Sequence, residues 1–215
     1  HLPSTPDAAR RTVDAIERDR PDVVVLTGDI IEDAKFLPAL TELAAAVRGR
    51  LGTFAVLGNW EHKADIAAAT ARAAYEKAGV TFLFNESAGI SRGGARLRLV
   101  GFDDPVVGAP NPTRAVAGRA PADVDLWLIH GPAYVDTISR SIPRPAMILS
   151  GHTHGGQIRL PGLTLYTPPG SGRYVSGWYR DTLAPLYVSR GIGTATIRMR
   201  IFCPPELPVF TLRRA

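Results

Sequence analysis

The sequence predicts an α/β fold, with sheets whose faces are covered by helices. Two observations carry this. Short apolar runs rich in branched residues recur along the chain, each long enough for a buried strand and too short for a helix. Between the early ones lie alanine-rich, helix-favouring stretches, and strands alternating with helices build sheets with covered faces.

In chain order, the first helix is expected over 7–19 (DAARRTVDAIERD), ended by Pro21, and the first strand over Val23–Leu26. A helix over 35–48 leads to a strand over 53–57, and a helix over 64–78 is closed by Gly79. Further buried strands are expected over 97–100, 124–129 and 146–149. After residue 150 glycine and proline become frequent and helical periodicity fades. Short strands are expected there over 157–160, 186–189, 196–199 and 209–212, forming a second sheet or an extension of the first. Neither a repeat nor a linker interrupts the 215 residues, so 1–215 reads as a single domain.

Hydrophobic residues make up 45% and charged residues 21%, which argues against disorder. No apolar run approaches the roughly 20 residues that span a bilayer, so the chain as given is expected to be soluble. A start at His1 rather than Met suggests processing or trimming, and membrane association through a segment upstream stays open. A cytoplasmic or membrane-associated setting is favoured. The net charge of +5 invites a nucleic-acid reading, but the arginines are scattered, with Arg92, Arg96 and Arg98 the nearest to a patch and readable as the wet face of a strand. Specific nucleic-acid binding is therefore not expected; a nuclease would rest on the basic charge alone. Cys203 is the only cysteine, which excludes a disulfide within the chain and a Cys-rich zinc site; it reads as a small core residue.

Four of the expected buried strands run into a residue that could bind a metal: Asp29, Asn59, His130 and His152. Ligands of open α/β sheets sit outside the carboxyl ends of the strands, so these four should meet. Any one histidine alone is better read as structural. As a set, His62, His130, His152 and His154 are poorly explained that way. The His152-Thr153-His154 spacing, flanked by Gly151, Gly155 and Gly156, is read as suiting two neighbouring metals better than one. Asp29 could bridge two cations with its two oxygens, and Asn59 adds a neutral carbonyl. Imidazole, carboxylate and amide oxygen together suit Mn²⁺, Fe²⁺ or Zn²⁺.

GDIIED (28–33), GNWEH (58–62), His130-Gly131 and GHTHGG (151–156) resemble the ordered motifs of calcineurin-like metallophosphoesterases. PDVVVLTGD, GFDD (101–104), GHTHGGQIRLPG, LYVSRGIG (186–193) and PPE (204–206) are similar to its bacterial YkuE-like branch. The resemblance implies a sandwich of two mixed β-sheets flanked by helices and a centre of two divalent metal ions. It implies that Asp29 bridges both metals, that Asn59, His130 and His152 complete one, and that His154 belongs to the other. The second metal would also take an Asp-x-His motif near the chain start. His1 looks like the tail of that motif, with its aspartate two positions upstream; a tag remnant is the alternative.

One position departs from the family pattern. Trp60 stands where the family usually has a histidine that assists the leaving group, and indole has no proton to give near neutral pH. His62 could take over that role, the metals could carry most of the catalysis, or the chain could be specialised or weak. Two cations lower the pKa of a shared water and clamp phosphoryl oxygens. A missing acid matters least for acidic leaving groups, which favours a phosphodiester or pyrophosphate, in a phosphorylated small molecule or a phospholipid-type substrate. Asp103 and Asp104 could orient a ligand or simply form a turn before Pro105. Arg173, Tyr174, Tyr179 and Arg190 are candidate substrate contacts, equally readable as surface, and Trp178 and Tyr179 could shape a lipid or nucleobase pocket or fill core. The rival reading is a catalytically weakened metal-binding scaffold or regulator of the same fold.

Overall fold

The structure is a computed structural model that describes residues 6–213. The first helix, α1 (Pro6–Asp19), buries Thr12 and Ile16 one turn apart, and Ile16 packs on Val24 and Val47. It stops where Arg20 turns left-handed (φ 45°) ahead of Pro21. Strand β1 (Val23–Leu26) follows, then a 3₁₀ turn (Ala34–Phe36) running into α2 (Leu37–Ala46). Next come β2 (Gly52–Ala55), the short α3 (Asn59–Lys63), α4 (Ala68–Lys77) and β3 (Thr81–Phe82). Strands β4 (Glu86–Arg92) and β5 (Ala95–Gly101) form a hairpin, followed by the single turn α5 (Pro112–Ala115) and β6 (Val124–Leu128). After a 3₁₀ segment (Pro132–Asp136) come β7 (Met147–Ser150) and a 3₁₀ turn (His154–Gly156). Four short strands complete the described elements: β8 (Arg159–Leu160), β9 (Leu163–Thr164), β10 (Gly177–Tyr179) and β11 (Leu186–Val188).

The fold is mixed α/β, with parallel and antiparallel sheets flanked by helices. Strands β1, β2 and β3 form a wholly parallel sheet. The mixed six-stranded sheet has the order β10-β11-β7-β6-β5-β4, parallel from β11 to β5 and antiparallel at both edges. Between the sheets Phe54, Val56 and Leu83 meet Leu99, Leu126, Leu128, Met147 and Leu149. On the outer face of the small sheet, α2 and α4 pack Leu40, Ala44, Ala71 and Tyr75 against Ala55, Leu57 and Phe82. The far face of the large sheet buries Phe102, Trp127 and Ile148 with Val135 and Tyr174.

Several expectations need correction. Residues 196–199 and 209–212 are not strands; Thr196 takes a left-handed φ of 57°, and Val209 and Leu212 are exposed without a ladder partner among the described residues. The expected strand over 157–160 shrinks to β8. Strand β4 carried no apolar signal because it is an edge strand with mostly half-exposed or exposed residues. Arg98 is not on a wet face: it is buried, 3.6 Å from Asp125 and donating to Ser87 Oγ (2.7 Å), whereas Arg92 and Arg96 are exposed.

Candidate metal centre

Four parallel strands deliver the site, two from each sheet. β1 leads through Thr27-Gly28 to Asp29, and β2 leads to Asn59 at the start of α3. β6 leads to His130, and β7 leads through Gly151 to His152. The first pair of loops can meet only because both carry glycine. A Cβ at Gly28 would lie 2.5 Å from Gly58 N, and one at Gly58 would lie 2.3 Å from Asp29 Oδ1. Asp29, His152 and His154 all hold left-handed backbone (φ 56°, 68° and 51°), a conformation that L residues adopt at a cost and that concentrates at functional sites.

Among the described residues, Asp29, His130 and His152 present ligand atoms that all lie within 4.8 Å of one another, and all three are buried. Asn59 joins them. Its Oδ1 lies 3.2 Å from His130 Nε2 and 2.9 Å from His152 Nδ1. His130 Nε2 is 3.2 Å from Asp29 Oδ2, and the two facing ring nitrogens are 3.2 Å apart.

Backbone carbonyls set the tautomers. His130 Nδ1 donates to Thr27 O (2.6 Å), and His152 Nε2 donates to Pro169 O (2.8 Å). In the neutral rings this leaves His130 Nε2 and His152 Nδ1 as bare lone pairs, aimed at the same small volume as a carboxylate and an amide oxygen. With both rings neutral the four converging acceptors repel one another, and a positive charge among them, a proton on His130 or a divalent cation in its place, relieves that repulsion. The donor set fits a metal on this ground.

The charge states agree. Burial opposes ionisation of Asp29, but the adjoining His130 holds its carboxyl well below the usual range. Burial pushes the His130 imidazolium down, yet Asp29 beside it pulls the pKa up to about 9, so in the metal-free chain a proton sits where a cation is wanted. Burial lowers His152 to about 4 and His154 to about 3, which keeps both rings neutral and ready to ligate.

Sequence reasoning treated Glu61 only as a motif position; the structure gives it a task. Its buried carboxylate accepts N–H bonds from Asp29 (2.9 Å), Ile30 (2.5 Å), Ile31 (3.1 Å) and Gly58 (2.9 Å), tying the two glycine loops together. Burial and the nearby Asp29 raise its pKa. The Trp60 backbone N–H donates to Asp29 Oδ1 (2.9 Å), while its ring lies under the Lys63 ammonium, 4.9 Å away.

The remaining expected residues distribute as follows. His154 stands outside the convergent group; its carbonyl accepts from Arg200 Nη1 (3.0 Å) and Cys203 Sγ (3.3 Å). His62 Nε2 pairs with Asp103 Oδ1 at 2.7 Å. Asp104 accepts from Val106 and Val107 N–H and so forms the turn, while Asp103 also accepts from Ala109 N–H. Arg173 is engaged with Asp181 (2.6 Å) and stacked on Tyr174. Arg190 pairs with Glu206 and packs against Gly155 of the GHTHGG loop. Tyr174, expected as a substrate contact, is instead a fully buried core residue whose hydroxyl donates to Asp136 (2.7 Å). His1 lies outside the described residues.

Comparison with known proteins agrees with this geometry. The chain is 29% identical over 204 residues to the uncharacterized metallophosphoesterase YkuE of Bacillus subtilis (strain 168), covering 92% of this chain and 70% of that protein. It is 29% identical over 201 residues to Phosphodiesterase YaeI of Escherichia coli (strain K12), covering 90% and 71%. It is 30% identical over 210 residues to an uncharacterized metallophosphoesterase of Aquifex aeolicus (strain VF5), covering 92% and 75%. The family model for the calcineurin-like phosphoesterase superfamily domain matches residues 1–189. With its motifs gathered at the strand ends and a candidate metal cluster among them, the chain belongs to the calcineurin-like phosphoesterase superfamily.

Proposed function

We propose that the chain is a phosphoester hydrolase with a centre of two divalent metal ions, acting on a phosphodiester or a pyrophosphate. The observation that carries this is the convergence of Asp29, Asn59, His130 and His152, with the facing ring nitrogens of the two histidines 3.2 Å apart. In this reading those four hold one cation, Asp29 is shared, and His154 serves the second together with His1. Mn²⁺, Fe²⁺ or Zn²⁺ bound there would supply a water acidic enough to ionise at neutral pH and charge to clamp the phosphoryl oxygens.

The chain's own residues do the rest. Glu61 and the Trp60 N–H fix the Asp29 carboxylate so that it need not reorient during reaction. Pro169 O and Thr27 O hold the two rings in the ligating tautomer. His62, its pKa raised by the bond to Asp103, is the proton donor for the leaving group in place of the absent histidine at position 60. Asp103 positions it, and Arg173 and Arg190 are the cationic contacts for the rest of the substrate. The name of YaeI, a phosphodiesterase, supports a diester over a monoester.

Trp60 favours a second reading, a metal-binding scaffold with weakened catalysis. Metal analysis of the purified chain, followed by turnover of a generic aryl phosphodiester with added Mn²⁺, separates the two. Two bound metals with no turnover would leave the scaffold; absence of bound metal would remove both.

A further inference from the structure

From Asp136 to Glu206 the chain carries eight arginines (140, 144, 159, 173, 180, 190, 198 and 200) and a single intervening carboxylate, Asp181. This stretch includes the GHTHGG loop and, directly after it, the two-stranded ribbon of β8 and β9. The ribbon has two unlike faces. Arg159 pairs with Thr164 across the ladder, and both lean on the metal loop: a methyl at Gly156 would lie 2.5 Å from Thr164 Cγ2 and 3.6 Å from Arg159 Cγ. Leu160 pairs with Leu163, and alternation turns both to the opposite side, where they stand 50% and 53% exposed. Ile158 shares that side with Leu160 and is bridged to Ile201, which Phe202 follows at 67% exposure. Single exposed apolar residues need no explanation, but a contiguous set does.

We propose that this outer face docks on an anionic lipid surface. Charge selects the occupant. Arg198 is exposed between the exposed Ile197 and Met199, in the segment that is bridged to the start of the ribbon, and the ribbon and the 195–202 segment contain no carboxylate to oppose it. An isologous dimer through the same face would bury the Arg198 of each copy with no carboxylate from the ribbon or the 195–202 segment to pair it, which is costly. An anionic bilayer takes both features at once: leucine and phenylalanine enter the headgroup boundary while the Arg198 guanidinium meets lipid phosphates. The inner face of the ribbon touches Gly156, and Arg200 from the same segment donates to His154 O, so docking holds the candidate metal centre beside the headgroups. The docking stands apart from the hydrolase reading, because it concerns where the site is held and not what it does there.

The test is co-sedimentation with phosphatidylcholine vesicles, with and without phosphatidylglycerol. The wild-type chain should partition to the phosphatidylglycerol vesicles and little to pure phosphatidylcholine. Leu160→Ser/Leu163→Ser/Phe202→Ser should lower that partition at least about tenfold, and Arg198→Gln alone about fivefold. Circular dichroism and melting report whether the triple variant stays folded; should it unfold, the exposed Arg198→Gln and the salt dependence decide. Equal partition to the two vesicle types, or wild-type partition in Arg198→Gln, overturns the proposal. So does a concentration-dependent dimer, lost in the triple variant, in a chain that ignores vesicles. Turnover of a soluble aryl phosphodiester is read separately: vesicle binding without turnover removes the hydrolase reading alone, and turnover without vesicle binding removes the docking alone.

Discussion

Glu61 accepts the backbone N–H of Asp29 at 2.9 Å while its other oxygen accepts those of Ile30 and Ile31. One buried carboxylate on α3 thus holds the loop that follows β1, in a different part of the chain. The two loops that supply Asp29 and Asn59 are one unit, and Glu61 is its tie.

Removing the tie should therefore cost both fold and site. Each bond to a charged acceptor is worth about 1.5–3 kcal/mol, and four donors would be stranded in the interior. Glu61→Ala is expected to lose at least about 3 kcal/mol in urea denaturation and to bind metal weakly. Glu61→Gln, which keeps the shape but trades one acceptor oxygen for a donor, should fall between. A Glu61→Ala chain as stable as wild type would show that the four N–H groups find other partners.

Asn59→Ala removes the amide oxygen that both rings face. Loss of a residue that merely orients a ligand costs about 10–100-fold in metal affinity or activity, so loss of a direct donor should cost at least about 100-fold. Metal content by mass spectrometry and turnover should fall together; full metal content with full turnover would remove Asn59 from the ligand set.

His62 gives the pH dependence. Its pKa is raised, first by the hydrogen bond to Asp103 and against the opposing effect of burial. A raised histidine pKa stabilises the folded state fully below the unfolded value of 6.5 and loses that contribution as pH rises through the folded value. Stability should therefore drop as pH rises from 6.5 through the raised folded-state value, and Asp103→Asn should flatten the drop. An NMR titration of the His62 ring checks it directly: in Asp103→Asn the midpoint should move back toward 6.5. An unmoved midpoint would mean Asp103 is not the cause.

Trp60→His restores the side chain that the family pattern has at this place. If proton delivery limits the reaction, monoester hydrolysis should rise, by up to the roughly 10²–10⁴-fold that general acids contribute. An unchanged rate would assign the step to His62 or to the metals. Because the Trp60 contribution to Asp29 is its backbone N–H, the substitution leaves that bond in place.

Much of this site could be read from order along the chain. Apolar runs ending in Asp29, Asn59, His130 and His152 said which residues meet, because parallel strands bring their carboxyl ends to one edge. What could not be read is how those residues are held. The tie through Glu61 and the carbonyls of Thr27 and Pro169 act through backbone groups, which every residue possesses and no pattern marks. Arg98 misled for the opposite reason: an arginine in a strand resembles a wet face until Asp123 and Asp125, beyond the next loop, are placed beside it. Residues 196–199 and 209–212 have strand-like composition, but a strand needs a neighbour, and pairing is not written in a short run of apolar letters.

The four strand ends come from two sheets, two apiece. Whatever occupies their meeting point is gripped by both leaves of the sandwich at once and acts as a clasp across the seam. Breathing of one leaf against the other and escape of the occupant are then a single motion. Amide exchange in β1 and β7, on opposite sides of the seam, should slow in step when the clasp is closed, although no residue of either strand touches it.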